Sequence, residues 1–388
     1  MDDLILAQDL FRQGNLPQAD IYVWRCLARD GSNFGAAKLL NDLRRAYGFS
    51  ESFELSERVS LISSSGDRYL LIKAWGCGFW SEVHHLVTQL LLAELTQRTP
   101  IILWGRNCLF RNDSDINAFG HFFQEISSAR IDDIRKPTTI FPSKWSLDNI
   151  YDENVNKWEG EDSRMAAQFL FDRSEILLVS DFYSTLSSII PWIDRSSKYY
   201  GLSEDILYSE LFQKYLKPTL DIADKVDDFY VQNMQRRPWV AIHIRGSDKI
   251  HESPNLAKIK AHCLVFIDRI VELNPTIGIF LLTDSSTVME ELIQHYGERI
   301  LCTKATRVAG NVGVHLSGHD GIVIGKEVLV DTLLAIKCDY FIGNKESCVS
   351  FAISSMRYWP QGFMFLLGGE GSGRGENLFL HNRNSCVI

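Results

Sequence analysis

Apolar residues fall into short runs and helical stripes along most of the chain. In the first 50 residues Leu4, Ala7, Leu10 and Phe11 share one helical face. Gly14-Asn15 then interrupts the stripe, and Pro17 suits the first turn of a second helix. Ile21, Trp24, Cys26, Leu27 and Ala28 continue the signal, and residues 36–46 suit a third helix. The set resembles one tetratricopeptide-type hairpin plus half a repeat. Solenoids need about three repeats to be stable, so a helical cap on the next domain is the simpler reading.

From about residue 55 the pattern changes. Short apolar runs at 70–72, 101–104, 176–179, 239–244, 277–282, 340–343 and 364–367 predict strands. Longer amphipathic stretches at 81–97, 205–235, 256–273, 286–296, 326–337 and 349–358 predict helices. Short buried strands alternating with helices predict parallel sheets covered on both faces. Arg236-Arg237-Pro238, after the long helical stretch, is the natural joint. The expected architecture is α/β and GT-B-like: a helical extension at 1–54, then two Rossmann-like domains at 55–236 and 237–388 that face a cleft. Ligands would sit there at the carboxyl ends of strands.

Composition narrows the function classes. The 388 residues are 45% hydrophobic and 23% charged, with a net charge of −9, which disfavours a general nucleic-acid binder. The eight cysteines are scattered without a C-x-x-C pair, so neither a zinc site nor a disulfide scaffold is indicated. No basic segment precedes an apolar one at the start, and no run of about 18 apolar residues occurs. The expectation is a soluble, cytoplasmic protein without a transmembrane segment.

Four segments carry candidate chemistry. Strand 239–244 runs into His243, Arg245, Gly246, Asp248 and Lys249. Alternation puts His243 and Arg245 on one face, Gly246 lets the backbone come close to a ligand, and the cations suit a diphosphate. A salt-bridged loop, with Asp248 pairing Arg245 or Lys249, is the alternative. Thr283-Asp284-Ser285 lies before a helix, where such residues either cap or help to hold an anion. Asp331 lies among Val330, Leu333 and Leu334 on an inward-packing helix. A carboxylate there needs hydrogen-bond donors, from a guanine edge, a backbone pair or Lys337. Ser347, between a strand and a helix, either caps or donates to a phosphate. The fourth segment runs from Trp75 through Gly76, Gly78 and Phe79 to His84-His85. Its Gly-x-Gly turn suits either a ligand or a plain turn, and adjacent histidines cannot face the same way on a helix. Gly371, Gly373 and Gly375 read as a flexible loop. No P-loop, nucleophile elbow or H-E-x-x-H occurs.

In this order the segments resemble the α1,6-fucosyltransferase family over roughly residues 70–357. The family's His-x-Arg-Arg-x-Asp-Lys motif is similar to His243-Ile-Arg245-Gly246-Ser247-Asp248-Lys249, and its Thr-Asp turn to Leu282-Thr283-Asp284-Ser285. Its Leu-Asp helix resembles the one carrying Asp331, and a serine of its Ser-Ser-x-Val segment falls on Ser347. Its Cys-Gly-x-Gly-x-x-x-His-His stretch, with Thr-Gln-Arg-Thr after it, resembles residues 76–85 and 96–99. The resemblance implies an inverting transferase that uses GDP-fucose as co-substrate and needs no metal or other cofactor. The acceptor would be a glycan, a lipid-linked sugar, a protein or a small metabolite. Arg245 would hold the β-phosphate with Lys249 supporting the leaving GDP, Asp331 would read guanine, and Ser347 would bind phosphate. Gly246 stands where the family has a second arginine. The family's proposed base falls on Ser253, beside Glu252; Glu252, His251 and Asp248 compete for that role. Two other readings keep the fold: a transferase of another nucleotide sugar, and a non-catalytic adaptor binding partners through its N-terminal helices.

Overall fold

The computed structural model describes residues 2–29, 33–46, 68–134, 138–153, 170–171, 173–181, 183–246, 256–310, 313–314, 318–360 and 362–368. Ser247, Asp248, Lys249, His251, Glu252, Ser253 and the glycine-rich tail lie outside them.

Helices α1 (Asp3–Arg12), α2 (Leu16–Arg29) and α3 (Phe34–Ala46) form the extension. The turn at Gly14 has φ 75°, a conformation that glycine adopts without penalty. Ala7, Ala19, Val23, Leu39 and Leu43 close a small core of their own. The unit also leans on the body: a side chain at Gly201 would meet the Pro17 carbonyl oxygen at 3.2 Å.

The first sheet contains β1 (Tyr69–Lys73), β2 (Thr99–Leu103), β3 (Ile140–Phe141) and β4 (Leu177–Ser180). All pairs are parallel, in the order β2-β1-β4-β3. Helix α4 (Phe79–Leu95) crosses from β1 to β2, and α5 (Leu186–Ile189), α6 (Glu204–Tyr215) and α7 (Leu220–Asn233) follow β4. The second sheet contains β5 (Trp239–His243), β6 (Gly278–Leu282), β7 (Ile300–Leu301), β8 (Tyr340–Asn344) and β9 (Met364–Leu367), in the parallel order β7-β6-β5-β8-β9. Its helices are α8 (Leu256–Leu273), α9 (Ser286–Tyr296), α10 (Gly321–Ala335) and α11 (Cys348–Met356). Strand side chains alternate between layers: Ala241 joins the large core, while Val240 and Ile242 join the core on the other face. The α/β architecture expected from the periodicity is the one observed.

Four elements depart from the expectation. The helix expected over 205–235 is two helices, because Pro218 lacks an amide proton and disfavours helix at Lys217. The break is used: Lys217 O accepts the Gln124 amide at 2.9 Å and the Thr219 amide donates to Phe122 O at 3.0 Å. Helix α10 begins at Gly321 rather than 326, since Asp320 Oδ1 caps it by accepting from Ile322 N (2.8 Å) and Val323 N (3.2 Å). Strands β3 and β7 have two residues each, too few to register as a period.

The two sheets share one large core, and α10 and α11 both pack across the seam between them. A Cβ at Gly325 would lie 2.6 Å from the Phe122 ring, and one at Gly321 would lie 2.4 Å from Leu109 O. Trp80 Nε1 donates to Thr332 Oγ1 at 2.9 Å across the same seam. No helix among the described residues is long and apolar enough to cross a membrane.

Candidate functional site

The chain runs β5-β6-β7 to one side of the second sheet and then returns to place β8 and β9 on the other. The crevice at the carboxyl ends of β5 and β8 is therefore a topological switch point, where open parallel sheets bind ligands. A cleft opens there, roofed by the first turn of α4. Its empty space, counting the open mouth and the solvent in it, is about 1050 Å³.

Strand β5 delivers His243 and Arg245 to the cleft, as alternation predicts. His243 is buried, and burial lowers its pKa to about 4, so the ring is neutral at physiological pH. Its Nδ1 lies 2.8 Å from Ser350 Oγ, which also accepts the Asn344 amide at 2.9 Å. That arrangement favours a Ser350 proton on Nδ1 and the imidazole proton on Nε2. Arg245 Nε lies 3.4 Å from Asp284 Oδ2, and the Gly246 amide donates to Asp284 Oδ1 at 2.9 Å. Asp284 thus orients Arg245, while the capping of α9 falls to Ser285, whose hydroxyl accepts from Val288 N at 3.3 Å. Thr283 lines the cleft and its Oγ1 accepts from Ser285 N at 3.2 Å. Gly246 is close-packed for a different reason than expected. A Cβ there would lie 2.8 Å from both Ser285 Cβ and Val288 Cγ2, so the backbone approach is to the start of α9.

Asp331 sits at the far end, one turn after Glu327 on α10, and both line the cleft. Thr303 Oγ1 donates to Asp331 Oδ1 at 2.6 Å, and Glu327 Oε2 accepts the Thr306 amide at 2.8 Å. Among the described residues Asp331 forms no ion pair. Burial raises its pKa to about 6; the Thr303 hydrogen bond and then the Arg307 charge pull the other way. A buried carboxylate with one oxygen held can accept further N–H groups.

Ser347 begins α11 and lines the cleft with a buried hydroxyl that has no hydrogen-bond partner and caps nothing. An unsatisfied donor at a helix N-terminus, where backbone amides also point outward, can hold an anion. Next to it, Cys348 Sγ accepts from Ser81 Oγ at 3.1 Å, which joins α11 to α4.

The amino-terminal motif divides into two parts. Gly78 and Phe79 line the cleft. Gly76, at φ 93°, does not; its amide, with those of Trp75 and Cys77, is gathered by Glu82, and the latter two bonds measure 2.9 and 2.8 Å. Burial raises the Glu82 pKa, and those three amides oppose it. His84 and His85 are not cleft residues. His84 stacks on Phe351 at 4.3 Å, and His85 Nδ1 accepts from Ser184 N at 3.4 Å. They face apart, as the helical geometry requires, but into packing. Arg98 in the Thr-Gln-Arg-Thr stretch donates to the carbonyls of Tyr69, Arg173, Glu175 and Ile176, at the strand starts rather than the cleft. Glu327, Thr303 and Ser350 escaped the sequence reading. Glu327 stands four residues before Asp331, a one-turn spacing that could have revealed it. Asp248, Lys249 and Glu252 lie outside the described residues. Among those residues no group of three or more His, Cys, Asp or Glu side chains could hold a metal ion.

Two parallel sheets meeting at a cleft define a GT-B-like α/β protein. No protein-family model matches the chain, and no curated protein sequence matches it. Solved structures do match. The chain is similar to NodZ alpha-1,6-fucosyltransferase soaked with GDP-fucose, with TM-score 0.50, 17% identity, and coverage of 75% of this chain and 93% of that one. It is also similar to a variant of Arabidopsis thaliana FUT1 in complex with GDP, with TM-score 0.51, 14% identity, and coverage of 92% and 78%. The likeness is one of fold: this chain has a fucosyltransferase-like fold.

Proposed function

We propose that this protein is an inverting, metal-independent glycosyltransferase that moves a sugar, fucose first among the candidates, from a GDP-sugar to a hydroxyl acceptor. Asp331 carries the reading. It is a buried carboxylate with no ion pair among the described residues, in the cleft at the switch point, and guanine offers it an N1–H and an exocyclic amine side by side. Ser347 and the amides that open α11 hold the diphosphate from one side, and Arg245, oriented by Asp284, from the other. Breaking the anomeric carbon–oxygen bond leaves negative charge on the departing diphosphate, and these fixed donors stabilise it most in the transition state. Lys249 adds a second cation, and Glu252, His251 or Asp248 takes the acceptor hydroxyl proton. Residues 55–236 form the acceptor side, for a glycan, a lipid-linked sugar, a protein or a small metabolite; residues 237–388 form the donor side. Cysteines that are free in the described chain fit a cytoplasmic location.

One observation favours a second reading. The place of the family's second arginine is taken by Gly246, whose packing leaves no room for a side chain. That loss of a cation supports a different nucleotide-sugar donor. The decisive assay is release of GDP from GDP-fucose over a panel of hydroxyl acceptors in the presence of EDTA. Turnover supports the proposal. Binding of GDP-fucose without turnover supports the adaptor reading, and turnover only with another nucleotide sugar supports the second donor.

A further inference from the structure

We propose that Ser350 is a positioning residue of the site. It donates its hydroxyl proton to His243 Nδ1, so that the cleft-facing Nε2 keeps a proton and donates to the diphosphate. This rests on the GDP-sugar reading above and deepens it. Ser350 lies in the first turn of α11, three residues after Ser347, and is fully buried. Its Oγ accepts the Asn344 amide at 2.9 Å and lies 2.8 Å from His243 Nδ1. Strand β8 leaves room for the hydroxyl: a Cβ at Gly343 would lie 2.7 Å from Ser350 Oγ. The serine is thus held where β5, β8 and α11 meet.

The donors and acceptors fix where the protons lie. Ser350 Oγ already accepts one amide, and among the described residues its own proton has one acceptor, His243 Nδ1. Were Nδ1 protonated instead, the hydroxyl would receive two donors and leave its own hydrogen buried without an acceptor, which is costly. His243 Nε2 makes no hydrogen bond among the described residues, and it is not one of the side-chain atoms shut off from solvent. The residue lines the cleft, so that open edge faces it, beside Arg245. Burial keeps the ring neutral, with the Asp284 charge opposing and the Arg245 charge assisting. A neutral ring with its proton on Nε2 offers the cleft a donor and no lone pair. It can meet the negative charge that builds on the departing diphosphate, and it cannot take the acceptor hydroxyl proton. Moving the proton to Nδ1 would turn a lone pair toward the phosphate oxygens and repel them.

The test is nitrogen NMR of protein labelled in its histidine rings, with the His243 signals assigned as those that His243→Gln removes. Protonated and bare ring nitrogens are well separated in such spectra. At neutral pH the wild type is expected to show a protonated Nε2 and a bare Nδ1 that accepts a hydrogen bond. Saturating GDP is expected to move the Nε2 signal. In Ser350→Ala the Nδ1 signal should shift to that of an unbonded nitrogen, and a measurable fraction of rings should carry the proton on Nδ1. Turnover should fall roughly tenfold in that variant, as a hydrogen bond to a charged group is weakened. A protonated Nδ1 in the wild type overturns the inference. So does a Ser350→Ala protein with wild-type ring signals, and so does bound GDP that leaves Nε2 unmoved. The wild-type spectra need no substitution, so a misfolded variant does not rescue the idea. No binding of GDP by calorimetry overturns the donor reading itself, and the donation with it. That failure is recognisable, because the ring signals of the free protein still report where the proton lies.

Discussion

Replacing Asp331 by asparagine should stabilise the empty protein while removing its grip on guanine. Asparagine has nearly the same shape, and its Oδ1 can still accept from Thr303, now at 2.6 Å from Asp331 Oδ1. It carries no charge, however, so the cost of ionising a buried group disappears. Asp331 titrates at about 6 instead of 3.8. At about 1.4 kcal/mol per decade, its ionised form costs the folded protein about 3 kcal/mol at pH 8. The sign follows from the raised folded-state pKa. The penalty is absent below about pH 4, grows between about pH 4 and 6, and is constant above that range. Asp331→Asn should therefore melt a few degrees higher than wild type at pH 8, and the gap should close by pH 4. Denaturant titration at both pH values, with CD to confirm folding, measures the difference. With ligand the order inverts: the asparagine amide turns donors toward guanine N1–H, and GDP affinity should fall by roughly 100-fold, about 2.7 kcal/mol. A variant that is less stable than wild type at pH 8 and binds GDP equally well would refute the reasoning. Asp331 would then be a structural carboxylate of α10.

The same site and seam make other outcomes testable. Arg245→Lys should lose at least ~100-fold in kcat/KM, about 2.7 kcal/mol, because a point charge does not replace the guanidinium fork; kinetics within a few-fold of wild type would remove Arg245 from the donor site. Affinity for GDP-fucose, whose diphosphate does not titrate in this range, should fall toward tenfold per pH unit below about 6 as Asp331 protonates, and should be flat over pH 5–7 in Asp331→Asn. Activity should persist in EDTA; loss on chelation with recovery on Mn²⁺ would contradict the metal-independent reading. Gly325→Ala should destabilise by about 1–3 kcal/mol, since its Cβ would lie 2.6 Å from the Phe122 ring, and Phe122→Leu should recover part of that in the double variant.

Which elements the sequence revealed follows from where local patterning decides structure. Helices α8 and α9 coincide with the stretches read from periodicity, because each has a clean apolar stripe. The stripe over 205–235 concealed a break, since the period persists across Pro218 while the backbone does not. Gly325 in α10 is packed against Phe122, some 200 residues away in sequence. No local pattern carries that information. The site was partly legible for a related reason. Polar residues at the end of an apolar strand, His243 and Arg245, or isolated on an apolar helix, Asp331, conflict with their surroundings and stand out. His84 and His85 stand out in the same way, but rings such as Phe351 bury them among aromatics. The packing of Gly246 was not legible, because the neighbour that requires a glycine there, the start of α9, is brought to it by sheet topology.

The proposed function places a guanine nucleotide in this cleft between Asp331 and Ser347. Calorimetric titration of the wild-type protein with GDP, UDP, ADP and dTDP at pH 8 tests it most directly. One site per chain is expected, with GDP binding at least ~100-fold more tightly than the others, because only guanine pairs the buried carboxylate. UDP, ADP or dTDP binding as tightly as GDP would contradict it, and so would no binding by any of the four.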